Sequence, residues 1–443
     1  MNQNLLTTSI ALVLSLSLGA AETGLADTQS TTGNVELWVD GPANVQPGTG
    51  RNNPDVAVDG TSRSIFVWRT TSAAGGNADD VFLRRFDATG NPLEDPIFVN
   101  TLTAGNQRYP RVAVAADGSF LVIWQSTEGD NRIWVRSQAF DANADTVGTE
   151  QLVSNLATGE SVDVNADVAA LQGGGYVVVW RSRNTGGNDP NLSIQARFVS
   201  AAGVADPSGQ FQVNSTIGEN DRDPAVTELA DGGFLVVWVD PEVHGRRFNA
   251  TGTALGNDFQ INTLVSSSQL DPDVALASAT GILVVWKDAE DAGEDFEIRG
   301  RLYDNDLTPQ GNDFPINNLI TGVQDVVRVG DYGDGGFFVA WESASSNGSD
   351  SEPNSIQARM VTGSNQFAGP QIQVNVWTAG DQGPSGVGGW DGRVAVVWRS
   401  AGNPDASNSV ITAQFWEFGI LSCDIFCDGF ESGDTTAWSN AVP

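Results

Sequence analysis

The sequence predicts an all-β, seven-bladed β-propeller with four-stranded antiparallel blades, and three observations carry that prediction. A tryptophan ends an apolar segment seven times, at Trp68, Trp124, Trp180, Trp238, Trp286, Trp341 and Trp398. The spacings are 56, 56, 58, 48, 55 and 57 residues, the even period of a repeat architecture. Each period holds four short β-forming segments set between Gly, Asn, Asp and Ser clusters, without helical periodicity. Four strands per repeat of this length describe a propeller blade.

The first segment of each unit is short and small, as in Pro54-Asp-Val-Ala-Val58, Pro110-Arg-Val-Ala-Val114 and Pro272-Asp-Val-Ala-Leu276. A Gly-rich turn follows, often Asp-Gly, which favours a tight hairpin. The second segment is Ala230-Asp-Gly-Gly-Phe-Leu-Val-Val-Trp238 and its relatives. It is apolar on consecutive residues, so neighbouring blades are expected to cover both of its faces. Each buried tryptophan would remove roughly 150–250 Å² from water, on the order of 4–6 kcal/mol as an upper bound. The tryptophans are therefore read as packing residues.

A longer polar loop leads to the third segment, Ile194-Gln-Ala-Arg-Phe-Val199 or Ile356-Gln-Ala-Arg-Met-Val361. Arg84, Gln138, Arg197, Arg246, Arg301, Arg359 and Gln414 share one position in it. The third strand of a blade lies away from the channel, so these side chains are expected to cover apolar neighbours or tie down turns. The fourth segment is Phe211-Gln-Val-Asn214, Phe259-Gln-Ile-Asn262 or Phe314-Pro-Ile-Asn317. It follows six of the seven tryptophan strands and is missing after Trp398. Glu36-Leu-Trp-Val-Asp40 supplies a spare strand at the other end, and the N-terminal strand is predicted to complete the last blade and close the ring.

Residues 1–26 read as a secretory signal peptide: Leu5 to Leu18 is apolar, small residues run to Ala26, and the stretch is short for a membrane span. Residues 27–33 form a linker, 34–419 the propeller, and 420–443 a tail. Export to the medium or cell surface is expected, with no transmembrane segment. Cys423 and Cys427 fit a local disulfide or two thiols, and alone are too few for a metal site. Acidic residues outnumber basic ones by 55 to 22, and the formal net charge of −33 opposes nucleic acid and anionic membranes. An extracellular protein or glycan remains as the expected partner, and a monomer is expected.

The repeat resembles one in exported bacterial propeller proteins, of the form P-x-VA…DGGF-V-W-S…I-x-A-R-F-D/N-x-x-G…F-x-VN-x-x-T-x-G-x-Q. The resemblance spans about residues 34–419 and implies an extracellular or cell-surface propeller. That repeat type has no assigned active site, so no catalytic residue carries over. The tail from Cys423 to Ser439 resembles C-terminal segments of other exported bacterial proteins and suggests a sorting or attachment segment.

Loops entering the innermost strands bring charges towards the channel mouth. Arg51, Arg108, Asp221, Arg222, Asp223, Asp271, Asp325 and Asp381 are the candidate ligand-binding residues, since convergent polar groups there line a concavity. In the acidic loop after Trp286, Asp288, Asp291, Glu294 and Asp295 are candidate Ca²⁺ ligands by their oxygen chemistry, although no Asp-x-Asp-x-Asp-Gly loop is present. His244 is the only histidine, which leaves a Ser-His-Asp relay or histidine metal cluster little to build on. The expected function is non-enzymatic ligand or protein binding outside the cell, with calcium as a candidate stabiliser. The alternative is a glycan hydrolase using mouth carboxylates such as Asp221, Asp223, Asp271 or Asp325. Specificity is expected in what differs between blades, above all in the loop directly after each tryptophan.

Overall fold

The computed structural model describes residues 29–418, apart from 31–36, 41–48 and short loop stretches of which 72–77, 156–160, 184–191, 290–295 and 402–408 are the longest. Seven antiparallel sheets make seven blades in a ring, and among the described residues no helix occurs. Blade 1 shows the plan. Its inner strand Thr49–Val58 pairs with Ser64–Thr71, which pairs with Asp79–Phe86, which pairs with the two-residue outer strand Ile97–Phe98. The other inner strands are Gln107–Val114, Ser161–Ala170, Arg222–Glu228, Gln269–Ala277, Gln324–Gly333 and Gln382–Trp390. Most outer strands have only two residues, which leaves little unpaired edge. Blade 2 differs, with a longer outer strand, Thr146–Leu152.

The core lies between blades. Alternate residues of each second strand enter the two flanking interfaces: Ile65 and Val67 pack towards blade 2, Phe66 and Trp68 towards blade 7. All seven repeat tryptophans are buried, each facing the preceding blade. This explains the consecutive apolar residues, because no face of the strand meets water.

The polar residues of the repeat lock this packing. The outer-strand asparagine accepts the backbone N–H of the third strand, as from Val81 to Asn100 (2.8 Å) and Ile194 to Asn214 (3.0 Å). The third-strand arginine donates to a carbonyl of its own outer hairpin, as from Arg197 Nε to Asp206 O (2.9 Å). Its Nη1 reaches the preceding blade, as from Arg197 to Val153 O (2.7 Å) and Arg246 to Val213 O (2.6 Å). Arg84, Arg246 and Arg301 also stack over Phe86, Phe248 and Tyr303. These arginines tie turns and cover aromatic neighbours, as expected, and form no inward anion ring.

Leu37 and Trp38 pair antiparallel with Ala413 and Thr412 of blade 7, and Val39 N–H donates to Ile411 O (3.0 Å). Arg84 Nη1 donates to Val39 O (3.2 Å), the same inter-blade bond made by its counterparts. The signal-peptide region, the tail and both cysteines lie outside the described residues.

Candidate functional site: the axial well

Each inner strand is interrupted at the same place. The register against the second strand shifts in all seven blades, for example between Asn52 and Asp55, and between Arg108 and Arg111. In six blades a non-glycine residue there has positive φ: Asn53 (51°), Tyr109 (51°), Asn165 (78°), Asp223 (53°), Asp271 (47°) and Val326 (44°). Asn and Asp tolerate this conformation, whereas for tyrosine and a β-branched valine it is strained. Such a bulge re-aims the side chains beside it. Here the six residues line a cavity of about 350 Å³ on the propeller axis.

Two residues deeper, six of the seven strands present one residue to the same cavity, and blade 7 has Gly386 at that register. Blades 1, 3 and 5 present Asp55, Asp167 and Asp273, blades 2 and 6 present Arg111 and Arg328, and blade 4 presents Ala225. Each of these aspartates crosses to the next blade. Oδ2 of Asp55, Asp167 and Asp273 accepts the backbone N–H of Val112 (3.0 Å), Val226 (2.8 Å) and Val329 (2.8 Å) respectively. Burial, then the charge of Asp273, pushes Asp167 up to about 7, with Arg111 opposing. Asp273 is also raised by burial, against the pull of Arg328. Burial, then the charge of Arg328, draws Arg111 down.

The mouth carries a second tier, built from the bulges and from the residue directly after each tryptophan. Arg69 Nε donates to Asn53 Oδ1 (3.1 Å) and pairs with Asp79 (2.7 Å). Lys287 lies 2.6 Å from Asp325 and 3.0 Å from Asp271, and Arg399 lies 2.5 Å from Asp381. Asn165 Nδ2 donates to Asp223 Oδ1 (2.6 Å). Burial, then Asp271, raises Asp223, while Asn165, Arg181 and Arg222 pull it down. Glu342 is raised to about 7 by burial and by Asp325 and Asp381, despite Arg399 and Lys287.

Of the eight ligand-binding candidates, Asp223 and Asp271 line the cavity itself, with Arg222 beside Asp223. Asp325 and Asp381 stand at the mouth through their pairs with Lys287 and Arg399. Three others have different duties. Arg51 is buried in an ion pair with Asp40, Arg108 pairs with Asp79, and Asp221 accepts from Asn214 Nδ2 (2.9 Å) within its own blade. In the acidic loop, Asp288 is buried, with Gln269 Nε2 3.2 Å and Arg299 Nε 3.7 Å away. Asp291, Glu294 and Asp295 lie outside the described residues. His244 lies on a third strand, stacked on Trp238.

The deeper ring of Asp55, Arg111, Asp167, Asp273 and Arg328 was not among the sequence candidates. A signal for it was present, since Asp55, Arg111 and Asp273 are the variable residue of the P-x-V-A segment. That position varies in charge while its neighbours stay small and apolar.

No known protein family and no curated protein matches the chain. Solved structures resemble it in fold. A protein of unknown function from Dyadobacter fermentans DSM 18053 is similar at 11% identity and a TM-score of 0.52, covering 88% of this chain and 99% of its own. A puromycin hydrolase is similar at 13% identity and a TM-score of 0.51 over 87% of this chain, which spans 56% of the hydrolase. A Penicillium chrysogenum α-L-arabinanase complexed with arabinobiose aligns at 12% identity over 88% of this chain and 99% of its own, with a TM-score of 0.46. At these identities the first two likenesses speak for the propeller fold alone.

Proposed function

We propose that this is an exported, non-enzymatic propeller that binds a small polar extracellular ligand, a glycan by its chemistry, in the axial well. We further propose that the N-terminal strand closes the ring that forms the well. The supporting observation is the inward ring of Asp55, Arg111, Asp167, Asp273 and Arg328 beneath a collar of positive-φ residues. The three aspartates tie adjacent blades through one oxygen each, whereas Arg111 and Arg328 bond only to their own strands, and the strain at Tyr109 and Val326 is of the kind found at binding sites. Mixed donors and acceptors around a concavity suit a hydroxyl-rich ligand. The signal-like N-terminus and the resemblance to exported repeats support placement outside the cell. Glycan-array binding with the purified protein tests this: retained glycans, lost on Asp273→Ala, are expected. An array blank at every position would reject it.

One observation favours hydrolysis as a second reading. Asp167 is raised to about 7 beside other carboxylates, and a carboxyl that keeps a substantial protonated fraction at neutral pH is suited to donating a proton to a leaving oxygen. Release of reducing sugar from a polysaccharide panel, abolished by Asp167→Asn, would replace the binding reading with this one.

A further inference from the structure

We propose that the axial well recognises a uronate, a sugar carrying one carboxylate, and that Arg111 and Arg328 together hold that carboxylate. The inference rests on the axial well being the ligand site. The two arginines stand on blades 2 and 6 at the same depth, and both line the cavity. Each makes one hydrogen bond, back to its own strand: Arg111 Nη1 to Pro110 O (3.3 Å) and Arg328 Nη1 to Val327 O (2.7 Å). Among the described residues no carboxylate forms an ion pair with either guanidinium. Arg63, Arg69, Arg85, Arg136, Arg247 and Arg399 all have one. In a chain with 55 acidic and 22 basic residues, two such arginines in one cavity are unexpected.

They are also close enough to repel. The charge of Arg328 is the largest influence on Arg111 after burial, and it disfavours the charged form. Asp55, Asp167 and Asp273 offset part of that repulsion without an ion pair to either guanidinium among the described residues, and the planar guanidinium fork matches a carboxylate in a bidentate pair.

The aspartates narrow the class of anion. Asp55, Asp167 and Asp273 each spend Oδ2 on a neighbouring backbone N–H, which leaves Oδ1 to accept from a ligand. Oxygens of this kind suit hydroxyl donors and oppose the dense charge of phosphate or sulfate. A ligand with one carboxylate set among hydroxyls satisfies both halves of the ring. The volume, about 350 Å³, lies at the small end of ligand sites and suits one or two sugar rings rather than a chain.

Calorimetric titration with glucuronate, galacturonate and mannuronate, each beside its neutral hexose and beside inorganic phosphate, tests the proposal. At least one uronate is expected to bind, at least tenfold more tightly than its hexose and than phosphate. Arg111→Gln and Arg328→Gln should each weaken uronate binding at least tenfold and weaken hexose binding by a clearly smaller factor. Each arginine also offsets the buried Asp167 or Asp273, so some loss of stability is expected; a cooperative melt retained in both variants while uronate binding is lost separates loss of binding from loss of fold. Equal affinity for uronate and hexose would sink the arginine pair while sparing the glycan-binding well. Phosphate binding as tightly as the uronate would make this a simple anion site and overturn the proposal. Absence of binding by every sugar would remove both readings.

Discussion

Lys287 of blade 5 lies 2.6 Å from Asp325 of blade 6, so the chain's single lysine joins two blades at the mouth of the channel. It also lies 3.0 Å from Asp271 and over the ring of Phe296. Burial alone would lower its pKa, but Asp271 and Asp325 outweigh burial and raise it. Replacing it by methionine would leave Asp271 and Asp325 without the cation between them, and Glu342 with Arg399 alone to oppose its burial. Asp325 is well exposed, so water screens part of the pair, and a loss of about 1–2 kcal/mol is expected. A lower melting temperature for Lys287→Met would show it. In a second check, an amine-reactive reagent should label Lys287 slowly in the native protein and quickly in denaturant. Equal rates would contradict its burial.

Stability should be greatest in mildly acidic solution. Asp167 and Glu342 titrate near 7 and Asp40 near 6 in the folded protein, each raised chiefly by burial. Between their unfolded values and these folded ones, the native state binds more protons than the unfolded state. Stability therefore falls as pH rises through that interval. Asp59 and Asp79 work in the opposite sense. Burial raises them, but hydrogen bonds, led by Thr61 and Thr71 respectively, outweigh it and hold both below the usual carboxylate range. Their contribution is present above the unfolded pKa and is lost as pH falls through the folded one. Melting temperature is thus expected to peak at roughly pH 4, in the range of the unfolded carboxylates, and to fall on both sides. A curve still rising from pH 6 to 8 would contradict the raised carboxylates.

Gln107 shows how much of the blade was legible in the repeat. Trp124 Nε1 donates to Gln107 Oε1 (2.9 Å), Trp341 to Gln324 (2.9 Å) and Trp398 to Gln382 (3.1 Å). In blades 2, 6 and 7 the glutamine that opens the inner strand therefore satisfies the buried indole of its own blade. Gln107→Leu should leave that N–H without an acceptor and cost about 1–3 kcal/mol, read as a lower denaturant midpoint. Gln151, half-buried and bonded through its amide only to Thr149 and Glu150, should cost far less on the same change to leucine, and equal losses would deny the indole bond its role.

The strand plan and the tryptophan core were legible because burial on both faces forces consecutive apolar residues, as in Leu235-Val-Val-Trp238. The mouth was partly legible. Asp223, Asp271, Asp325 and Asp381 do gather there, and position after tryptophan does differ between blades, from Arg69 to Glu342. The deeper ring was hidden by the bulge. One extra residue in each inner strand changes which side chain turns inward, and propensity does not announce it when the left-handed residue is Tyr109 or Val326. Arg51 and Asp221 have the right charge in the right loops, yet an ion pair and a buried asparagine claim them first.

The proposed closure by the N-terminal strand makes Val39 a residue of the core. It is fully buried among Val56, Phe66, Trp68 and Ile411, between blades 7 and 1. Val213 holds the equivalent place on the outer edge of blade 3, buried to the same degree. If the strand closes the ring, Val39→Asp buries an unpaired charge as Val213→Asp does, and each should lower stability by several kcal/mol, on the order of 3 or more. Arg84 would lose its inter-blade acceptor when the strand detaches, just as Arg246 would lose Val213 O. Thermal unfolding of the two variants side by side tests this. Comparable falls in melting temperature are expected. A Val39→Asp variant that melts like the wild type would mean that blade 7 stands without the strand and that the ring closes by blade packing alone.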